Sequence, residues 1–238
     1  MKQAEKEQLN TFLDTSFSWI SGFPIGVCAG NKSPFFSDDM TIESNTTKET
    51  SVQNFNVMNN ITSKIISCSR CSLCKTCKNF VVGTGVENPL VMVIGDFPSE
   101  KDDIQGLPFV NDAGQLLDKM LLAINLHKNQ NCYITNIIKC RPPMGRDPKP
   151  EELDACRSFL DAQIQTLKPK IIITLGRIAS QSLLKSSQNI NQLHGKFHDY
   201  KGIPVMPIYH PNALLRDERL KRPAWIDLQA VHNKLFEN

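Results

Sequence analysis

Apolar and polar positions alternate in blocks along the chain from residue 61 onward. Four short runs are mostly apolar and have the length of a β-strand: Leu90–Ile94, Asn131–Ile138, Lys170–Leu175 and Ile203–Ile208. Three intervening stretches have the spacing of helices: Gly114–Ile124, Glu151–Leu167 and Arg177–Leu184. Apolar strands separated by helices are typical of a parallel sheet covered on both faces. The pattern predicts an α/β fold, namely a three-layer α/β/α sandwich around a mostly parallel, four-stranded central sheet.

The first sixty residues have a different pattern. Within residues 1–22 the apolar positions follow an approximately helical spacing, which predicts a short amphipathic helix. Residues 23–60 are rich in Ser, Thr, Asn and Asp without clear periodicity, which favours a flexible linker. We therefore expect one globular domain over residues 61–238. The tethered helix is suited to docking a protein partner or to folding back onto the domain.

Composition narrows the class of protein. The formal net charge is +3, which permits a nucleic-acid partner without requiring one. The N-terminus carries charges of both signs and lacks the apolar core of a signal peptide. The longest apolar runs are too short to cross a bilayer. We expect a monomer with no membrane association in a reducing cytosol, bacterial and close to the nucleoid, where clustered cysteines indicate metal or redox sites.

Polar and aromatic side chains follow each predicted strand. Ligands of parallel α/β sheets bind at the carboxyl ends of the strands. The segments there contain Asp96, Phe97, Asp102 and Phe109 after the first strand, Asn136 after the second, and His210 and Leu214–Arg216 after the fourth. Taken singly, an Asp here would cap a helix, a Phe would pack in the core, an Asn would stabilise a turn, and a His would be a capping or buried residue. Their convergence on one edge of the sheet predicts a functional site.

The segment CSRCSLCKTC places four cysteines within residues 68–77. Cys68 and Cys71 form a tight pair, whereas Cys140 and Cys156 lie far apart on different elements. Four thiolates can bind either a zinc ion or a [4Fe–4S] cluster. A structural zinc site usually uses two tight pairs. A single tight pair favours a cluster held between elements, but the spacing leaves both possibilities open.

The run from Cys68 to about Ala230 resembles the family 4 uracil-DNA glycosylases, the iron–sulfur branch of that superfamily. The resemblance covers about two-thirds of the chain, and its motifs occur in the family's order. They are C-x2-C-x-L at Cys68–Leu73, VIGDFPSEKDD at Val93–Asp103, QGLPFVNDAGQLLD at Gln105–Asp118, ITNIIKCRPP at Ile134–Pro143, the helix through Glu151 to Cys156, and IYHPNALLR at Ile208–Arg216.

This resemblance implies a DNA repair enzyme that hydrolyses the N-glycosidic bond of uracil in DNA and leaves an abasic site. It also implies a [4Fe–4S] cluster, whose ligands by correspondence are Cys68, Cys71, Cys140 and Cys156. Cys74 and Cys77 fall where the family carries other residues, and we interpret them as bystanders; Cys28 and Cys132 are likewise unassigned. The expected partner is uracil-containing DNA.

Roles for individual residues follow from the same resemblance. Asn136 is expected to recognise the uracil edge, and Phe109 to stack on the flipped base. His210 is expected to donate a hydrogen bond to uracil O2 as negative charge develops there. Asp102 is expected to position water and stabilise the cationic sugar, with Asp103 as the alternative.

The DNA-opening segment of the family corresponds to residues 211–216. Leu214 or Leu215 is expected to wedge into the gap that the flipped base leaves, and Arg216 to contact phosphate. Basic side chains near the same edge are expected to add backbone affinity, each of them also compatible with an ordinary solvated surface. They are Lys139, Arg141, Lys196, Arg219 and Lys221.

The first motif departs from the family pattern of Gly-Glu-small-Pro-Gly. Here Asp96 replaces the Glu, Phe97 replaces the small residue and Ser99 replaces the final Gly. The pair Asp102-Asp103 likewise stands where the family usually has Glu-Asp. Two alternatives to an active enzyme stay open on these grounds. They are a non-catalytic uracil- or lesion-binding paralogue and a zinc-stabilised interaction module.

Overall fold

Six strands form a single sheet in the computed structural model, which describes residues 46–236, with side chains from residue 56. The strands are β1 (Thr84–Gly85), β2 (Val91–Gly95), β3 (Cys132–Asn136), β4 (Ile171–Leu175), β5 (His198–Tyr200) and β6 (Ile203–Ile208). Their order is β1-β3-β2-β4-β6-β5. The four central strands β3, β2, β4 and β6 are parallel, as predicted, and β1 and β5 pair antiparallel at the two edges. The prediction of four strands is corrected to six, because edge strands of two and three residues are too short to show a period.

Helices cover both faces of this sheet. They are α1 (Thr46–Ile66), α2 (Glu100–Gln105), α3 (Asp112–Leu122), α4 (Pro150–Leu167), α5 (Arg177–Leu184), α6 (Ile190–Leu193), α7 (Pro211–Arg216) and α8 (Lys221–Phe236). Short 3₁₀ turns lie at Ser72–Lys75, Pro143–Gly145 and Glu218–Leu220. Their positions confirm the predicted alternation of strands and helices.

Two apolar cores lie on opposite sides of the sheet. One joins Val93 and Ile173 of the strands to side chains of α3 and α8, including Leu117 and Leu228. The other joins the alternate strand positions, such as Met92, to α4 and α5. Because the side chains of a strand point alternately to the two faces, both sets are buried and the strands are apolar throughout. This arrangement confirms the predicted three-layer sandwich.

The helix α1 begins inside the segment predicted as a linker. It includes residues 46–60, so the predicted linker of residues 23–60 is corrected for that part. Ile61 and Ile65 of α1 pack against Phe159 of α4, and this contact explains why the helix docks on the domain. The predicted helix within residues 1–22 and the linker up to residue 45 lie outside the described residues. Among the helices described, none combines the length and apolar character needed to cross a bilayer.

Candidate active site

A cavity of about 450 Å³ opens at the carboxyl ends of β2, β3 and β6. Parallel strands bring the residues that follow them to one edge, which is why distant motifs meet here. The lining includes seven residues predicted from the sequence: Asp96, Phe97, Asp102, Phe109, Asn136, His210 and Arg216. The lining also includes Ser99, noted from the sequence only as a departure from the first motif, and Asn111 and Asn212, which sequence reasoning did not single out.

Asn136 ends β3 at the cavity and is only 1% exposed. Its Nδ2 is a buried side-chain nitrogen without a hydrogen-bond partner, the one such atom found among the described residues. Buried amide groups are almost always paired, because an unmet donor costs about 1–3 kcal/mol. The unused donor therefore marks a position where a ligand with an acceptor atom would complete the site.

Phe109 is held in a left-handed conformation, with φ of 57°. Two glycines make room for it. A Cβ on Gly114 would lie 1.7 Å from the Phe109 carbonyl oxygen, and a Cβ on Gly95 would lie 2.6 Å from the Phe109 ring and 2.5 Å from Asn136 Oδ1. A non-glycine residue in this region is strained, and such strain is common at functional sites. The ring stacks against His210 with centroids 5.8 Å apart.

His210 caps the N-terminus of α7. Its Nδ1 accepts a hydrogen bond from the Asn212 N–H at 3.1 Å, which assigns the ring proton to Nε2. Burial lowers the pKa of His210 to about 4, although the charge of Asp102 acts in the opposite direction. At neutral pH the ring is therefore uncharged and keeps one N–H donor at Nε2.

Asp102 is a buried carboxylate fixed by the main chain. Its Oδ2 accepts from the Ser99 N–H at 2.8 Å, which completes a capping box at the start of α2. Its Oδ1 accepts from the Val110 N–H at 2.9 Å, next to Phe109. The neighbouring Asp103 instead accepts from the backbone of Lys78 and Asn79, away from the cavity lining. The geometry thus favours Asp102 over Asp103 as the carboxylate that can contact a ligand in the cavity.

Asp96 joins the cavity wall to helix α5. Its Oδ1 accepts from the Ala179 N–H at 2.6 Å, and burial raises its pKa to about 7 despite that bond. Gly176 permits this contact, because a Cβ there would lie 2.8 Å from Asp96 Oδ2. Phe97 packs partly into the core on the α4 side and leaves the cavity open.

The family model of the Uracil DNA glycosylase superfamily matches residues 82–229, which carry the whole cavity. The chain belongs to this superfamily. It is 36% identical to the type-4 uracil-DNA glycosylase of Archaeoglobus fulgidus, over 73% of this chain and 91% of that protein. It is 37% identical to that of Saccharolobus solfataricus, over 74% of this chain and 85% of that protein. It is 39% identical to that of Sulfurisphaera tokodaii, over 68% of this chain and 77% of that protein. The predicted membership of the type-4 family is confirmed.

In the segment predicted to open the DNA, residues 211–216, the two leucines lie in different environments. Leu214 is fully buried in the core, whereas Leu215 on the next position of α7 is 49% exposed. Arg216 is exposed and reaches the cavity rim. Consecutive helical residues face directions about 100° apart, so only one leucine can project from the surface. Leu214 is therefore corrected from a wedge candidate to a core residue, and Leu215 keeps that role as a prediction.

Two of the basic residues predicted to contact DNA are not surface side chains. Lys139 is 0% exposed, and Lys221 is 9% exposed and paired with Glu218. Both are corrected from DNA contacts to buried residues. Arg141 pairs loosely with Glu100 at 3.6 Å, and Arg219 pairs with Asp217. Lys196 is exposed.

The four cysteines predicted as ligands lie near one another in this superfamily member. The pKa of the Cys156 thiol is raised, mainly by burial. The nearby thiols of Cys71 and Cys68 act in the same direction, and Lys139 acts in the opposite direction. Burial also raises the pKa of the Cys140 thiol, with further contributions from Cys77, Cys156 and Cys71. All are free thiols. Within the described part of the chain, no group of three or more His, Cys, Asp or Glu side chains is arranged to hold a metal ion.

Cys77, interpreted from the resemblance as a bystander, lies beside the predicted ligand Cys140. Its thiol is hydrogen-bonded to that of Cys140, and both belong to the core beside α4. By contrast, Cys74 bonds only the Cys71 carbonyl at 3.0 Å among the hydrogen bonds of the described residues. The spacing of the cysteines could not reveal this, because Cys77 reaches Cys140 only through the folded chain.

Proposed function

We propose that this protein removes uracil from DNA by hydrolysing the N-glycosidic bond, which leaves an abasic site for base excision repair. One observation carries the proposal, namely the unpartnered buried Nδ2 of Asn136 in a cavity shared with a neutral His210 and a fixed Asp102. Membership of the type-4 family supports the choice of uracil as the base.

Asn136 suits the recognition of uracil because its amide offers one donor and one acceptor side by side. Its Nδ2 would donate to uracil O4, and its Oδ1 would accept from uracil N3–H. Cytosine presents an amino donor and a ring acceptor in the reversed order. A fixed Asn136 would therefore leave polar groups unpaired against cytosine, which is a strong basis for rejection.

His210 suits the stabilisation of the leaving base. Its Nε2–H would donate to uracil O2 as the glycosidic bond breaks and negative charge collects on the base. A preorganised donor of this kind contributes roughly 3–4 kcal/mol to the transition state. Because the lowered pKa keeps the ring neutral, His210 stabilises the departing anion as a hydrogen-bond donor and does not transfer a full proton to it.

Asp102 suits the sugar side of the reaction. The carboxylate is held by two backbone N–H groups, and each oxygen keeps a lone pair for a water molecule. Its negative charge would stabilise the cationic sugar, and it would orient the attacking water. The side chain is one methylene shorter than the family Glu, and its carboxylate is held by the N–H groups of Ser99 and Val110.

Base flipping must precede these steps and costs a few kcal/mol. Leu215 would fill the gap in the stack, and Arg216 would contact the backbone phosphate beside it. Phe109 would then stack on the extruded base. Its left-handed backbone conformation would hold the ring in a fixed position for this contact. The assignment of Leu215 rests on its exposure, and those of Arg216 and Phe109 on their place in the cavity lining.

The chemistry of the donor set, four free thiols of which Cys156 interacts with Cys68 and Cys71, supports a [4Fe–4S] cluster, although the thiols are not arranged around a single metal-ion position. Cys68, Cys71, Cys140 and Cys156 would hold it, as the type-4 family implies. When bound, the cluster would supply a structural tie between the segment before β1 and the loop after β3. The residues of the cavity carry the reaction itself.

The test of this function is release of uracil from a labelled oligonucleotide with one uracil, scored as alkali-cleavable abasic sites. We expect release by the wild type and a loss of at least a hundredfold in Asn136→Ala, His210→Ala and Asp102→Ala. The matched control is Asn129→Ala, an exposed asparagine away from the cavity lining. A wild type that binds this DNA but releases no base would support a non-catalytic paralogue, and the proposal would fail.

Other predictions made from the sequence concern the whole chain. We propose that the protein acts as a monomer in the compartment that holds the DNA, the cytosol or nucleoid. The proposed docking of a partner by the helix within residues 1–22 also stays a prediction. Gel filtration of the full chain and of a chain lacking residues 1–45 would test both.

A further inference from the structure

Lys139 is a lysine with no exposed surface, located between β3 and the predicted cluster ligand Cys140. Its Nζ makes three hydrogen bonds, to Thr135 Oγ1 at 2.6 Å, to Asn136 O at 2.9 Å and to Gln163 Oε1 at 2.7 Å. An ammonium group has three donors, so all are used. All three acceptors are neutral oxygens, which is an expensive arrangement for a buried charge unless it serves a purpose.

The hydrogen bonds of Lys139 belong to a wider buried network. Gln163 of α4 donates to Val82 O at 3.0 Å and to Tyr133 Oη at 3.2 Å. Thr135 donates its hydroxyl to the same Val82 O at 2.8 Å. The network therefore fastens the end of β3 to α4 and to the segment that enters β1. The three bonds of Lys139 and the bond from Gln163 to Tyr133 are fully buried, where hydrogen bonds are electrostatically stronger than in water.

The bond from Lys139 to the Asn136 carbonyl has a specific geometric effect. The peptide between Asn136 and Ile137 is held at both of its polar atoms. The Asn136 carbonyl oxygen accepts a hydrogen bond from Lys139 Nζ. The Ile137 N–H donates to the Gly95 carbonyl at 2.8 Å. A peptide plane held at both ends fixes the direction of the Asn136 Cα–Cβ bond, and therefore the position of the amide in the cavity.

We propose that Lys139 is a positioning residue for base recognition, which holds the Asn136 amide at the geometry that uracil requires. The inference rests on the proposed function, because it assigns Asn136 to the uracil edge. Lys139 does not line the cavity, and it contacts Asn136 at the main-chain oxygen.

The test is a double-mutant cycle between Lys139→Met and Asn136→Ala. Methionine is an unbranched side chain one atom shorter than lysine, and it removes all three donors. We expect Lys139→Met alone to slow single-turnover uracil release by ten- to a hundredfold, as a displaced binding group does. In the Asn136→Ala background, the same change should slow release less than threefold, because the amide that Lys139 positions is already absent. A general loss of structure would instead slow both backgrounds equally.

The control is Gln163→Leu, which removes one acceptor of Lys139 and leaves the bond to the Asn136 carbonyl. It should lower the unfolding midpoint as Lys139→Met does, while release stays within threefold of wild type. Should Lys139→Met fail to fold, Lys139→Gln replaces it in the cycle. It keeps a neutral donor with a reach shorter by one bond.

Calorimetric titration with free uracil gives a readout that is independent of catalysis. We expect about tenfold weaker uracil binding in Lys139→Met, and no further change when Asn136→Ala is already present. The absorbance of the cluster per protein should be the same in both single variants. If the losses in release rate from Lys139→Met and Asn136→Ala are additive while the wild type is active, the positioning role of Lys139 is overturned and the proposed function stands. A wild type that neither binds nor releases uracil would overturn the proposed function and this inference with it.

Discussion

Gly95→Ala is a small change that should disable the cavity without unfolding the protein. Gly95 ends β2, where the new methyl carbon would lie 2.5 Å from Asn136 Oδ1 and 2.6 and 2.8 Å from two carbons of the Phe109 ring. Ordinary contacts between such atoms are about 3.5–4.0 Å. Gly95 does not have a positive φ, so the backbone itself accepts alanine and the whole effect is steric.

The size of the effect follows from how far the neighbours must move. Relief of the overlap requires Phe109 and Asn136 to retreat by roughly 1 Å, and a displacement of that size costs about a hundredfold in rate. That factor corresponds to about 2.7 kcal/mol in the activation free energy. The cost in folding free energy is about 1–3 kcal/mol, the usual range for an overpacked methyl group.

The assay is single-turnover uracil release at saturating enzyme, together with chemical unfolding of the same preparation. Gly202→Ala is the matched control, because the added methyl meets nothing within 4 Å there but the φ of 83° strains the backbone. It should lower the unfolding free energy by about 1 kcal/mol and leave the rate unchanged. A folded Gly95→Ala protein with the wild-type rate would refute the assignment of Phe109 and Asn136 to the base.

Three further predictions concern other parts of the site. Because burial raises the pKa of Asp96 to about 7, its stabilising contribution is present below the ordinary value of 3.8 and is lost as pH rises through about 7. In urea unfolding, Asp96→Asn should therefore have an unfolding free energy about 4 kcal/mol higher than wild type at pH 9 and equal to wild type at pH 4; a pH-independent gap would contradict this. Leu215→Ala should slow uracil release from duplex DNA but not from single-stranded DNA. Leu214→Ala should instead lower the unfolding free energy by about 2–5 kcal/mol. Equal destabilisation by the two variants would be inconsistent with their exposures. Cys140→Ser should abolish the visible absorbance of the cluster and Cys77→Ser should retain it; loss of absorbance in both would make Cys77 a ligand.

Much of the fold could be predicted because the central strands are buried on both faces. That burial makes Val91–Gly95 and Ile171–Leu175 almost entirely apolar, a signal that needs no neighbour to be recognised. The edge strand Thr84–Gly85 has no such signal, because its pairing with β3 depends on backbone hydrogen bonds alone. Residues 46–60 were likewise missed as helix, since α1 is stabilised by its contact with α4.

The sequence was enough to predict which residues form the candidate site, but not which of their side chains face the cavity. Asn136 and His210 were found because parallel strands place their following residues at one edge. Whether Asp102 or Asp103 faces the cavity depends on which backbone N–H groups each carboxylate meets. Those donors belong to Ser99 and Val110 in one case and to Lys78 and Asn79 in the other.

By itself, the sequence determined the layered α/β fold and the family, because burial of whole strands and the order of local motifs are properties of the chain alone. The tertiary structure decided which side chains are available to a ligand. Leu214 and Leu215 are identical in type and adjacent, and Lys139 is indistinguishable in sequence from a surface lysine. The differences in their exposure come from contacts with residues far along the chain. For Lys139, one such residue is Gln163, which lies 24 positions later. Exposure is a property of the packed molecule, and no local pattern can supply it.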